Sequence, residues 1–170
     1  MKKTLLACVL ALSSTPALAG GQEDSLGLGA EFMMNGLTGG ASINYDLGKM
    51  HFGGFFGFFD SGDDDEADYT FGGRFYYHLH STAMSDFSIG GALGFYSDEE
   101  MDDRASLMFL EPSVQIRAFV AANVALSLNL GVVLAFQDAD GFAITGGTLD
   151  GGDTTRSVIT GGAGIHYYFF

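Results

Sequence analysis

Histidines and carboxylates are the residues of this chain whose types and spacing could do chemistry. His78 and His80 stand two apart, and His51 and His166 are the other two histidines. Alternate residues of a strand share a face, so His78 and His80 would present two imidazoles side by side, with His51 on a neighbouring strand as a third. Imidazoles grouped in this way are zinc ligands. The plainer reading of the same residues is a polar layer shared with Tyr76 and Tyr168. The carboxylates come in runs: Asp60, Asp63, Asp64, Asp65, Glu66 and Asp68, then Asp98, Glu99, Glu100, Asp102 and Asp103, with Asp138, Asp140, Asp150 and Asp153 later. Clustered oxygens of this kind could bind Ca²⁺ or Mg²⁺. Neither DSGDDDEAD nor DADGFAIT has the spacing of an EF-hand loop, and the alternative is a solvated, self-repelling rim. Hydrolytic chemistry would need a nucleophile beside a base and an acid. No such grouping stands out, so neither enzymatic activity nor a cofactor is expected.

The elements that must carry these residues are strands. In Tyr69–His80 the residues Tyr69, Phe71, Gly73, Phe75, Tyr77 and Leu79 share one face, and Thr70, Gly72, Arg74, Tyr76, His78 and His80 the other. Similar alternation runs through about 25–34, 38–47, 50–59, 87–96, 105–119, 124–136 and 155–170. That makes eight strands, with no helix between them. Pro112 cannot donate to a ladder, so a bulge is expected near Glu111-Pro112. There the outward face would change from Leu107 and Phe109 to Val114 and Ile116. Asn35-Gly36, Gly48-Lys49, 81–86 and 120–123 read as short turns, Asn35-Gly36 being a strong hairpin signal. Residues 60–68, 97–104 and 137–154 read as longer loops.

Length and charge narrow the class. Lys2 and Lys3, an apolar run from Thr4 to Leu12 and the small-residue box Ala17-Leu18-Ala19 have the layout of a secretory signal peptide, cleaved after Ala19. The expected organisation is a signal peptide at 1–19, a short lead-in at 20–24 and one domain at 25–170. Cleavage would remove two lysines and the lone cysteine, taking the net charge from −14 to −16 and leaving no disulfide. Such acidity argues against nucleic acid as a partner. An exported chain of an even number of alternating strands, with long and short connections by turns, is what a membrane-spanning β-barrel requires. Hydrocarbon offers no hydrogen-bond partners, so a spanning sheet must close on itself. The aromatic faces then meet lipid and the polar faces point inward. This reading places Glu31, Asp46, Arg74, Glu111, Arg117 and Arg156 in the interior as a charge network. Arg74 is expected to contact Glu111 or Glu31, with Asp46 and Arg117 near the short-turn end.

The closing residues GIHYYFF put Ile165, Tyr167 and Phe169 on one face, with Phe170 beyond. They resemble the C-terminal signature of bacterial outer-membrane barrels that is read by the barrel-assembly machinery. Residues 25–170 as a whole are similar in pattern to the small eight-stranded class typified by OmpX and the OmpA N-terminal domain. The resemblance implies an all-β, antiparallel, up-and-down barrel in the bacterial outer membrane, both termini periplasmic. Its implied partners are outer-membrane lipid, lipopolysaccharide and the assembly machinery. The expected state is a monomer with a structural or surface-exposed role, and a narrow channel or a lipid A-modifying enzyme are the alternatives.

Overall fold

The structure, a computed structural model, describes residues 23–33, 40–60, 67–100, 103–137, 141–145 and 159–169. The expected signal peptide, the Asn35-Gly36 turn, Asp63, Asp64, Asp65, Glu66, Asp102, Arg156 and Phe170 lie outside the described residues. Among the described residues nine strands follow one another: β1 (Ser25–Met33), β2 (Gly40–Asp46), β3 (Met50–Asp60), β4 (Ala67–Ser81), β5 (Ser85–Glu100), β6 (Asp103–Ala121), β7 (Val124–Gln137), β8 (Gly141–Thr145) and β9 (Ile159–Phe169). Each of β1 to β7 pairs with its sequence neighbour, and β9 closes the sheet by pairing with both β7 and β1. All pairings are antiparallel. The short β8 pairs with the upper part of β7, above the stretch that pairs with β9, so the wall has eight positions.

The register measures how far the wall is sheared. Ladder partners lead from Ser25 to Asp46, His51, Tyr76, Gly90, Ser113, Gly131 and Thr160. Gly162 faces Met33, so Thr160 falls two residues beyond Met33, ten residues along β1 from the start. A ten-residue shift over eight strands tilts the strands by roughly 40–45° and leaves a lumen that side chains can fill.

The two faces separate as alternation dictates. Leu28, Ile43, Phe52, Phe56, Phe71, Phe75, Leu93, Leu128 and Ile165 are exposed on the outside, while the residues between them are buried in the lumen. A continuous apolar belt around a closed wall is the surface a bilayer covers. Leu128, 61% exposed in the middle of the wall, tests this directly. Leu128→Arg is expected to destabilise the barrel by about 2–4 kcal/mol in lipid vesicles, measured by urea unfolding. An unchanged midpoint would mean that this face meets water.

Several sequence expectations need correction. Pro112 introduces no bulge and no change of face: Met108, Leu110, Pro112 and Ile116 all point outward and Phe109 is 2% exposed inside. Pairing with β7 lapses at 111 and 112 but resumes in the same register, because an absent N–H interrupts a ladder without displacing it. The bulges lie elsewhere, at His78/His80 and Phe119/Ala121. The first turns His80 out of the lumen, so it does not share a site with His78. The described parts of the expected loops are strand. Asp60 ends β3 and Asp68 lies in β4, while Asp98, Glu99 and Glu100 end β5 and Asp103 opens β6. Within the stretch expected as the last loop lies β8, and the described part of the final strand is Ile159–Phe169.

Candidate functional site

The lumen is built in three layers. Nearest the short turns, Arg117 of β6 reaches across to β2, the strand diametrically opposite in the wall order. Its Nη1 donates to Asp46 Oδ2 at 2.9 Å and to the Tyr168 hydroxyl at 2.9 Å. Its Nη2 donates to Asp46 Oδ1 and to Asp86 Oδ2, both at 2.7 Å. Asp86 also accepts from the Ser81 hydroxyl. Arg117, Asp46 and Asp86 are all 1% exposed or less, so two carboxylates share one guanidinium away from water. A bidentate, charge-assisted arrangement makes such a burial tolerable.

Two histidines complete this layer, and their neighbours settle their tautomers. The turn after β2 runs through Gly48, at φ +73°, where a side chain would be strained. Its carbonyl accepts from His78 Nδ1 at 2.9 Å. The Nε2 of His78 therefore carries the lone pair, and it meets two donors: Arg117 Nη2 at 3.2 Å and His51 Nδ1 at 2.8 Å. His51 also stacks on Tyr76, ring centroids 5.2 Å apart.

In the middle layer Arg74 of β4 pairs with Glu31 of β1 at 2.5 Å and lies over the Phe55 ring, 4.6 Å from its centroid. His166 Nε2 lies 3.3 Å from the second oxygen of Glu31 and 2.6 Å from Ser42 Oγ. Glu111 accepts from Asn129 at 3.4 Å, and the Tyr76 hydroxyl meets Ser113 Oγ at 2.7 Å. Above this the lumen turns apolar. Phe55, Ala92, Tyr96, Phe109 and Val133 form one buried cluster at the end opposite the short turns. Gly94 leaves the space that the Phe55 and Phe109 rings fill, since a Cβ there would overlap the Phe109 ring.

The structure thus brings together most of the ionisable residues expected inside. Arg74 has Glu31 as its ion-pair partner, and Asp46 meets Arg117 near the short turns. Asp86 was missed: it closes a predicted turn, yet it lies within β5 and points inward. Its spacing of two from Ser88 was the available signal. Of the three histidines considered as metal ligands, His51 and His78 converge and His80 does not. Asp46 takes the third place, the three ligand atoms lying within 4.8 Å of one another. Ile165, Tyr167 and Phe169 are exposed along the outer face of β9.

A closed antiparallel wall, an outward apolar belt and a lumen filled with paired charges define a small membrane β-barrel. No protein-family model matches the chain, and no curated protein does. Among solved structures it is similar to the N-terminal β-barrel domain of Pseudomonas aeruginosa OprF, at 13% identity and a TM-score of 0.61, covering 88% of this chain and 99% of that one. A second is Neisserial surface protein A (NspA), at 15% identity and a TM-score of 0.44, covering 85% of this chain and 94% of that one. The likeness to the OprF domain shows a shared eight-stranded barrel fold.

Proposed function

We propose that this chain is a non-enzymatic integral protein of the bacterial outer membrane with a structural or surface-exposed role. The observation that carries the reading is the filled lumen: paired charges occupy its lower two layers and a ring cluster its upper one, leaving the outer surface and the long hairpins as the working parts. Both ends of the described wall lie beside the short turns, so a periplasmic short-turn end would put Asp60, Asp68, Asp98, Glu99, Glu100 and Asp103 on the outer side. There, Mg²⁺ or Ca²⁺ held by these carboxylates would bridge to the phosphates of neighbouring lipopolysaccharide. A narrow channel is the second reading, favoured by the ionisable lining beneath the ring cluster. The purified barrel is expected to leave planar bilayers at bare-membrane conductance, and stable unitary steps would establish the channel instead. A peptide tag inserted between Glu100 and Asp103 is expected to be reached by antibody on intact cells. Reactivity only after permeabilisation would reverse the orientation.

A further inference from the structure

We propose that Asp46, His51 and His78 form a binding site for a transition-metal dication of the zinc class at the short-turn mouth of the lumen. Three consecutive strands, β2, β3 and β4, supply the ligands. His51 Nδ1 lies 2.8 Å and Asp46 Oδ1 4.0 Å from His78 Nε2, and all three atoms fall within 4.8 Å of one another. Ligands of a tetrahedral zinc ion, at bond lengths of about 2.0–2.2 Å, lie roughly 3.3–3.5 Å apart. To ligate through Nδ1, His51 must give up the donor role it has here and carry its proton on Nε2 instead. The nitrogen pair then opens slightly and the carboxylate swings inward by roughly 1 Å, movements that side-chain rotation supplies. Two imidazoles and one carboxylate leave a fourth position open, the arrangement of zinc sites that keep an exchangeable ligand.

The orientation of His78 is the second observation. Its Nδ1–H is tied to the Gly48 carbonyl, which fixes the ring and aims the Nε2 lone pair at the site, as the outer partner of a metal-bound histidine does. Charge is the third. Four carboxylates, Glu31, Asp46, Asp86 and Glu111, face the described lumen against two guanidiniums, Arg74 and Arg117.

Arg117 already stands at the edge of this site, its Nη2 drawing on Asp46 Oδ1, Asp86 Oδ2 and the face of His78 Nε2. The site therefore attracts positive charge, and the metal competes with part of the guanidinium for it. On binding, Arg117 gives up Asp46 Oδ1 and His78 Nε2 and keeps Asp46 Oδ2, Asp86 and the Tyr168 hydroxyl. The donor set of nitrogen and a single carboxylate selects zinc, copper or nickel over calcium or magnesium.

Isothermal titration of the metal-stripped barrel in detergent at pH 7.5 tests the site, with ZnCl₂ and CaCl₂ as probes. One zinc per chain is expected, weakened at least tenfold in His51→Ala and in His78→Ala and unchanged in His80→Ala, while any calcium heat is expected to be the same in all four proteins. Each variant is first checked for a heat-modifiable band, the mark of a folded barrel. No zinc heat above the buffer blank overturns the proposal. So does binding that survives both lumen variants or is lost in His80→Ala. Should an alanine variant not fold, Co²⁺ added to the unmodified barrel decides: an intense tetrahedral visible spectrum supports the site, and the weak octahedral one overturns it.

Discussion

Replacing Arg117 with leucine is expected to lower the unfolding free energy of the barrel by about 3–5 kcal/mol, the loss found when one partner of a buried ion pair is removed. The size follows from what is left behind. Asp46 and Asp86 are buried, and without the guanidinium two carboxylates would face each other in a medium that screens them poorly. The loss belongs to the unpaired charge rather than to the bond. Consequently the triple variant Arg117→Leu, Asp46→Asn, Asp86→Asn should recover most of the stability, since removing a whole ionic cluster is often neutral. Urea titration in lipid vesicles, followed by tryptophan-free fluorescence of the tyrosines or by band shift, measures both. A change under about 1 kcal/mol in Arg117→Leu would show that water reaches the cluster and screens it.

Gly90→Ala is expected to be the most damaging single methyl addition in the wall, and Gly73→Ala close to neutral. A Cβ on Gly90 would lie against the Phe75 carbonyl oxygen and carbon and the Tyr76 backbone, all main-chain atoms of the paired strand β4. Backbone cannot turn aside, so β4 and β5 would have to part where Tyr76 pairs with Gly90. Overpacking of this kind costs typically 1–3 kcal/mol and more where no side chain can yield. On the outer face, a Cβ on Gly73 would come no nearer than 3.7 Å to the Gly53 carbonyl, an ordinary contact. The two variants differ by one methyl on strands that pair with each other, so equal unfolding midpoints would contradict the register described for β4 and β5.

Much of this was legible in advance because a membrane wall imposes a strict period of two. Each outward residue must suit lipid and each inward one must suit a crowded, polar lumen, so Leu126, Leu128 and Leu130 could be set against Ser127 and Asn129 without coordinates. The inward set then made a contact of Arg74 with Glu111 or Glu31, and the placing of Asp46 and Arg117 at the same end, foreseeable. Legibility failed where that constraint stops acting. Beyond the belt β5 continues through Asp98, Glu99 and Glu100, where consecutive carboxylates replace the alternation of polar and apolar residues. It failed also at local irregularities, which one residue decides. A single bulge after His78 reversed His80, and Pro112, the expected breaker, left the faces undisturbed. Phe109 was read outward because a phenylalanine suits lipid, yet the same ring fills the space that Gly94 leaves inside.

The reach of Arg117 across the lumen has a kinetic meaning. Its bond to Asp46 joins residues 71 positions apart, on strands that face each other only once the sheet has curled. Hairpins can form locally beforehand, but this contact cannot, so it belongs to the last stage of closure. Interactions absent from the transition state leave the folding rate nearly untouched and slow the reverse step. The clamp is therefore a latch: it does little to guide the wall shut, and it governs how long the wall stays shut.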